Sequence, residues 1–419
     1  YGHSLIPAPD ADARRLEPLR QLLTGVIKPL LARQGIAWGG PTSGVAAAWT
    51  FHTQPLGGTL KALVRAMPAS PYTSAASFIT SPNPPPNAQS PGTLDIYTFV
   101  QTFDPYGTKG LQRALNSVAS VVIGAVNLPY YLDAAQSRQD LAPLASQWVL
   151  DRYGVPIVKS VQTVPFLMTI PRSAGPWYPV IFQHGFTRSK EDMFAIAGAL
   201  ASAGFATIAI DAPLHGDRTF GLDLVTEDAS GNIIANQPDG VPDKSGRHFM
   251  NLTHLLTSRD NVRQMAADIV QLSHLLQVQQ MDVVNNNTGA PGADGVLDLY
   301  TGWVGYVGHS LGGIVGAIAA SVDPYIQAAA LANPGGNYAA ILTQSQTFAP
   351  AIEQGLAQKG IQPGSADYAK FFVLAQTIMD DADPLNYPVN INKPVYLLRT
   401  QKDTVVPNAA TDLLSAAQG

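Results

Sequence analysis

The chain has 419 residues, which is enough for one large domain or two domains of ordinary size. A net charge of −5 excludes the basic surface of a nucleic-acid-binding protein, and the lack of cysteine excludes disulfides, zinc thiolates and cysteine nucleophiles. No apolar run approaches the roughly 20 residues that cross a bilayer. Charged residues make up only 13%, so neutral polar residues, glycine and proline must cover much of the surface.

An N-terminal accessory region is predicted for residues 1–165. Regularly spaced leucines predict an amphipathic helix over 12–33, and shorter patterns predict a strand at 45–53 and a helix at 59–67. Several prolines predict that residues 70–92 form a loop with little regular structure.

Residues 166–419 are predicted to form an α/β-hydrolase domain that is incomplete at its C-terminus. Strands and helices alternate here, which favours a mostly parallel central sheet flanked by helices. The predicted elements are strands at 178–182, 206–210, 303–307, 328–332 and 394–399, and helices at 189–203 and 259–277.

Two insertions interrupt this alternation. Residues 217–251 are rich in Gly, Asp, Asn and Pro, whereas residues 337–390 contain helical patches with aromatic side chains. Both would lie over the carboxyl ends of the strands, where open α/β sheets bind ligands. The second insertion is interpreted as a helical lid, with a surface elaboration as the alternative. The aromatic stretch 128–132 also has two interpretations, core packing or contact with an acyl chain.

The most informative motif is Gly308-His309-Ser310-Leu311-Gly312, which stands between an apolar run and a helix-compatible run. A strand, a sharp turn and a helix are the setting in which G-x-S-x-G presents a nucleophilic serine. The flanking glycines leave room for a strained turn. Ser310 is therefore the predicted nucleophile, and a structural glycine turn is the alternative.

A serine nucleophile needs a base, and an acid must orient that base. Asp403 is the predicted acid because it follows the last apolar strand, with a turn-forming role as the alternative. The competing carboxylates are interpreted as caps or turn residues; they are Asp323, Asp380, Asp381 and Asp383.

Stabilisation of a developing oxyanion is predicted for the loop after the strand at 178–182. The main-chain N–H groups of Phe186 and Leu311 are the predicted donors. Gly185 would allow the close approach of the backbone, and His184 is interpreted as ordering this loop by hydrogen bonding.

The catalytic histidine is expected beyond Gly419, because none of the eight histidines follows Asp403. His215 is the weaker alternative. Its loop follows the predicted strand at 206–210, which lies on the far side of the strand at 178–182 that leads to the oxyanion loop. Residues 286–298 carry oxygen donors suited to calcium but lack the EF-hand order, so a polar turn is preferred and no metal is expected.

Six stretches together resemble one known family: WTFHTQ at 49–54, LPYYL at 128–132, VIFQHGFT at 180–187, IDAPLHG at 210–216, SRDNVRQ at 258–264, and the motif around Ser310. They are similar to the bacterial extracellular lipases of the Vibrio and Aeromonas virulence-factor lipase type, in the α/β-hydrolase superfamily. The resemblance implies an exported carboxylic-ester hydrolase acting on lipid or lysophospholipid esters. It implies that Ser310 and Asp403 are the nucleophile and the acid.

The expected reaction is ester hydrolysis through an acyl-enzyme, without a metal or an organic cofactor. The hydrophobic content of 46% and the aromatic insertions predict an apolar pocket for an acyl-ester substrate, and peripheral contact with lipid surfaces is expected. The polar composition and the start at Tyr1 favour a secreted or cell-surface protein whose signal was removed. The alternatives are an acyltransferase on the same fold and a catalytically silent binding or scaffold protein.

Overall fold

A computed structural model describes most of the chain. The described residues are 21, 23–33, 35, 56–67, 74–82, 115–228, 231–278, 282, 294–387 and 393–418. They belong to two compact units, Tyr1–Pro55 and Leu56–Gly419. Residue 165, the predicted end of the accessory region, lies in a strand at Ser160–Pro171 of the second unit. The division into an accessory region and a hydrolase domain stays a prediction.

The first unit is described only in part. A π-helical segment at Leu23–Ile27 leads into helix α1 at Lys28–Arg33, which confirms this portion of the helix predicted over 12–33. The strand predicted at 45–53 lies outside the described residues. In the second unit, helix α2 at Gly58–Ala66 confirms the helix predicted at 59–67.

One eight-stranded sheet organises the second unit. Its order is β1-β2-β3-β5-β4-β8-β9-β10. The bounds are β1 Ser74–Pro82, β2 Val118–Tyr130, β3 Ser160–Pro171, β4 Tyr178–Gln183, β5 Phe205–Ile210, β8 Val304–His309, β9 Ile326–Ala332 and β10 Val395–Leu398. The first three strands are antiparallel, and β3 is antiparallel to β5, whereas β5, β4, β8, β9 and β10 run parallel. The predicted mostly parallel sheet is confirmed.

The loop predicted over residues 70–92 is wrong where it covers β1. Residues Ser74–Pro82 pair with β2 along almost their whole length, and Pro82 is the last residue of the strand. Prolines are tolerated at the ends of edge strands, because the missing N–H removes no central ladder bond. The pairing partner begins more than thirty residues later, so the local proline content was a poor guide.

Helices cover both faces of the sheet. On one face, helix α3 at Phe194–Ser202 buries Phe194 against Phe182 of β4. On the other face lie helix α4 at Leu255–Val278 and helix α5 at Leu311–Val322, with a core that includes Ile269 and Val315. Every residue of α5 from Leu311 to Ser321 is buried, which its many Gly and Ala residues allow. Among the described residues, no helix has the length and apolar character of a membrane span.

The two insertions differ in structure. The one at 337–390 forms helices α6 at Tyr338–Gln344, α7 at Ala349–Gln358 and α8 at Ala366–Met379, with their own apolar cluster around Phe372. The one at 217–251 is mostly irregular, with short strands β6 at Thr226–Glu227 and β7 at Ile233–Ala235. Helix α9 at Asn408–Gln418 follows the sheet's last strand.

Candidate active site

Ser310 occupies the sharp turn between β8 and α5. Its backbone angles are φ 53° and ψ −114°, a conformation that residues other than glycine rarely adopt. The turn is fixed from both sides, because the Ser310 N–H donates to Ala332 O at 2.8 Å and Ser310 O accepts from Ile314 N at 2.9 Å. A strained, half-buried serine at the start of a buried helix matches the predicted nucleophile elbow.

The loop after β4 lies against this serine. A Cβ atom built on Gly185 would lie 3.1 Å from Cβ of Ser310 and 3.3 Å from His309 O, so any larger residue here would have to push the elbow away by a few tenths of an ångström. Among the described residues, no acceptor is bonded to the main-chain N–H of Phe186 or of Leu311. Leu311 is the first residue of α5, where the helix leaves such N–H groups unpaired. The two predicted donors therefore belong to neighbouring segments.

His184 is fully buried and bonded at both ring nitrogens. Its Nδ1 lies 2.8 Å from Gly185 O, and its Nε2 lies 3.0 Å from the N–H of Ala212. These partners require a neutral ring that donates from Nδ1 and accepts at Nε2. Burial lowers the pKa of His184, although Asp211 opposes this shift. The imidazole thus bonds the loop as the sequence predicted.

His215 is buried to the same degree and is also bonded at both nitrogens. Nδ1 lies 2.9 Å from Pro213 O, and Nε2 accepts from the N–H of Thr187 at 3.3 Å. Burial, with a smaller contribution from His184, lowers the pKa of His215 to about 3. Because backbone groups occupy both nitrogens, this imidazole is not arranged to take a proton from Ser310.

Asp403 lies five residues beyond β10, in a turn tied to the rest of the site. Its Oδ1 accepts from the N–H groups of Val405 at 2.8 Å and Val406 at 3.0 Å. Desolvation lowers the pKa of His309, whereas Asp192 and Asp403 raise it and Arg188 lowers it. The Asp403 carboxylate is thus close enough to His309, the residue directly before Ser310, to raise the pKa of its imidazole.

The competing carboxylates all have structural partners; Asp323 and Asp383 are the turn and cap residues that were predicted, whereas Asp380 and Asp381 bind side chains instead. Asp323 accepts from the N–H groups that follow α5, Asp380 accepts from Gln376, Asp381 binds Arg263 and the N–H of Gly57, and Asp383 caps a short 3-10 helix.

Two contributors near the site were missed in the sequence. Asn333, at a positive φ of 52° just after β9, accepts from the N–H and hydroxyl of Thr400 and so braces the loop that leads to Asp403. The Asn-Pro dipeptide at this strand end was the available signal. Phe348 of the helical insertion packs against Phe186 with ring centroids 6.1 Å apart, a contact that no local pattern announces.

A cavity of about 640 Å³ borders the end of the oxyanion loop at Thr187 and Arg188. Its lining combines charged side chains, which include Arg188, Lys190, Asp217 and Lys244, with apolar ones such as Val225 and Val241. The apolar substrate pocket stays a prediction. Lys190 binds Asp211 at 2.9 Å and Asp217 at 2.7 Å. Burial raises the pKa of Asp217, but hydrogen bonds from Lys190 and Lys244 outweigh this and lower it to about 2. Two ion pairs thus join Lys190, Asp217 and Lys244 along one part of the cavity wall.

No cluster of three metal-ligating side chains occurs in the part of the chain that the structure describes. Most of the polar turn predicted at 286–298 lies outside that part. Of its two described acids, Asp294 accepts from the N–H of Val296 at 3.0 Å, as a turn residue does.

Comparisons with known proteins give structural similarity only. No protein-family model matches the chain, and no curated protein matches its sequence. The lipase type named above therefore stays a prediction.

Solved structures similar to this chain include two acetyl xylan esterases. That from Thermoanaerobacterium is 16% identical over 81% of this chain and 87% of its own, with a TM-score of 0.43. That from Paenibacillus is 13% identical over 86% and 83%, with a TM-score of 0.42. The acylaminoacyl peptidase of Pyrococcus horikoshii is 12% identical over 65% and 34%, with a TM-score of 0.34. The sheet order and the elbow of this chain themselves define an α/β-hydrolase fold, which confirms the predicted fold class.

Proposed function

We propose that this protein is a serine hydrolase of carboxylic esters. The observation that carries the proposal is the strained turn that holds Ser310 directly against Gly185. The N–H groups of Phe186 and Leu311 lie in the same two segments, and neither is bonded to an acceptor among the described residues. A buried helix begins at the residue after Ser310 and directs its positive end towards the same point. This combination supports attack on a carbonyl carbon whose oxygen becomes negatively charged.

In the proposed reaction, Ser310 Oγ attacks the ester carbonyl and its proton passes to an imidazole. The N–H groups of Phe186 and Leu311 hold the resulting oxyanion, and the alcohol leaves with the proton that the imidazole returns. Water then cleaves the acyl-enzyme by the same route. Asp403 would orient the imidazole that accepts this proton.

Lipid-like esters are the proposed substrates, on the strength of the resemblance to extracellular lipases. Two neighbouring apolar side chains on α8 support peripheral contact with a lipid surface: Val373 is 66% exposed and Leu374 is 63% exposed. The phenylalanine pair Phe186 and Phe348 offers apolar surface beside the oxyanion loop. Secretion or attachment at the bacterial cell surface is proposed on the same resemblance.

The test combines active-site labelling with substrate profiling. The full-length protein and its Ser310→Ala variant are treated with a fluorophosphonate, and the labelled peptide is identified by mass spectrometry. We expect label on Ser310 and none on the variant. Hydrolysis of p-nitrophenyl esters of increasing chain length then measures acyl preference, and an added alcohol reveals transfer. A folded full-length protein that takes no label would refute the proposal.

A further inference from the structure

Two histidines hold two consecutive peptide groups of the oxyanion loop. His184 Nδ1 donates to Gly185 O at 2.8 Å, and the N–H of Thr187 donates to His215 Nε2 at 3.3 Å. The first bond holds the peptide between residues 185 and 186, and the second holds the peptide between 186 and 187. The residue between these two peptide groups is Phe186, whose N–H is the proposed oxyanion donor.

The planarity of the peptide connects these bonds to the direction of that donor. In a trans peptide the C=O and the N–H point in opposite directions. When His184 binds the carbonyl of Gly185, the N–H of Phe186 must therefore point away from His184. The next peptide could rotate about the backbone of Phe186; the bond to His215 holds its N–H, and a bond from the Arg188 N–H to Gly185 O at 3.2 Å closes the turn around it.

This second peptide carries backbone strain. Thr187 has a positive φ of 61°, which a β-branched residue adopts only when its surroundings impose it. The bond to His215 is a contact that holds Thr187 in this conformation. Its loss would let Thr187 leave this strained conformation, and the resulting shift of the loop would displace the neighbouring Phe186 N–H from its position beside Ser310.

His215 is itself held on every side. Phe249 lies edge-on at 5.3 Å between ring centroids, and Phe186 lies at 6.0 Å. Gly246 approaches so closely that an added Cβ would lie 2.5 Å from Cγ of His215. Its Nδ1 proton is committed to Pro213 O at 2.9 Å, which leaves Nε2 unprotonated as an acceptor.

We propose that His215 is a positioning residue of the oxyanion hole: it accepts the Thr187 N–H and so keeps the oxyanion loop in the conformation in which the Phe186 N–H, oriented by His184, faces the substrate carbonyl. The inference rests on the proposed ester hydrolysis. It gives the insertion at 217–251 a role, because Gly246 and Phe249 of this insertion fix the imidazole.

Two substitutions separate the two nitrogens of the ring. In His215→Gln, the side-chain oxygen reaches the place of Nε2 and can accept from Thr187. In His215→Asn, the shorter amide reaches only the place of Nδ1 and keeps the bond to Pro213. Both variants are polar and similar in size, so a general effect on folding would affect them alike.

The measurements are kcat and KM for an activated ester, the rate of fluorophosphonate labelling, and the thermal midpoint. We expect kcat and the labelling rate of His215→Asn to fall about 100-fold with KM nearly unchanged, because a donor misplaced by about 1 Å costs this much. His215→Gln should retain kcat within about tenfold of the wild type. His274→Phe serves as control, since this histidine lies on α4 beside Tyr325, and its kcat should equal that of the wild type.

Equal kcat values for the Gln and Asn variants, or a lower value for Gln, would overturn the positioning role. If either variant does not fold, hydrogen exchange of the Thr187 amide in the wild type decides, and exchange as fast as in an open loop counts against the inference. Failure of the proposed function is distinguishable, because the wild type would then take no label at Ser310.

Discussion

A Cβ atom built on Gly308 would overlap the carbonyl oxygen of Gly312 and would lie 2.5 Å from its carbonyl carbon. The last residues of β8 and the first turn of α5 are therefore in direct backbone contact around Ser310. Gly312 is equally constrained, since its own Cβ would lie 2.8 Å from the carbonyl carbon of Gln183. The two glycines of the motif are steric requirements of the elbow, and each meets backbone that no side-chain rotation can move.

Gly308→Ala should lower the free energy of unfolding by about 3 kcal/mol or more, at the upper end of overpacking costs, because its new methyl group meets backbone. Urea unfolding followed by circular dichroism measures this. Gly355→Ala is the matched control: Gly355 lies exposed in α7 with nothing within 4 Å of the added atom. This control should gain about 0.5–1 kcal/mol from helix propensity. A Gly308→Ala protein as stable as the wild type would contradict the steric account.

Asp403→Asn should lower kcat at least about 100-fold and leave the fold intact. Exchanging the acid of a serine triad for its amide costs on the order of 10⁴ in kcat, because the amide cannot stabilise the imidazolium that forms. The side-chain oxygen of Asn can still accept from Val405 and Val406, so the turn should persist. Steady-state kinetics with an activated ester gives the result.

The control for this substitution is Asp412→Asn. Asp412 is 60% exposed and pairs with Arg399 on the surface, so its amide variant should keep the wild-type kcat. If Asp403→Asn and Asp412→Asn have the same kcat, Asp403 only forms the turn, which is the alternative role that the sequence analysis gave it.

Asp323 makes stability depend on pH. Burial raises the pKa of this carboxyl from 3.8 to about 6. The folded chain thus binds the proton more tightly than the unfolded chain, and the contribution to stability is fully present below pH 3.8 and lost as pH rises to about 6. The expected loss is about 3 kcal/mol, since each unit of pKa difference is worth about 1.36 kcal/mol.

Asp323→Asn isolates this effect, because its side-chain oxygen can still accept from the N–H groups of Tyr325 and Ile326. Free energies of unfolding of both proteins are measured between pH 4 and pH 7. The variant should gain stability relative to the wild type by about 2 kcal/mol over this range, because part of the titration lies below pH 4. A difference that is constant with pH would show that the carboxyl titrates alike in both states.

Much of the sheet was predictable from local patterns. Every strand and helix predicted between residues 178 and 399 is present, and the long helix α4 extends the predicted one by a few residues. Apolar periodicity worked here because parallel strands buried on both faces read as short continuous apolar runs. It failed at β1, where the pairing partner β2 gives the segment its conformation and prolines obscured the pattern.

The candidate site, too, was predictable only in part. The segments that carry Ser310, Gly185 and Asp403 were identifiable, because each follows a recognisable strand in a fixed chain order. The contact between Phe186 and Phe348 was not, since 162 residues separate two rings that meet only through the helical insertion. The charged side chains that line the adjacent cavity were also not predicted, because composition does not show which side chains lie together in the fold.

The sequence by itself determined the sharp turn at Ser310, since glycines at positions 308 and 312 are the residues that the crossing backbone tolerates. The tertiary structure alone decided what faces that turn. Bonds from His184 and His215 orient the oxyanion loop, and both depend on buried rings brought together from separate strands. The physical reason is range: the contact between Gly308 and Gly312 joins residues four positions apart in one motif, whereas the hydrogen bonds and burial of the two imidazoles join residues that only the fold brings together.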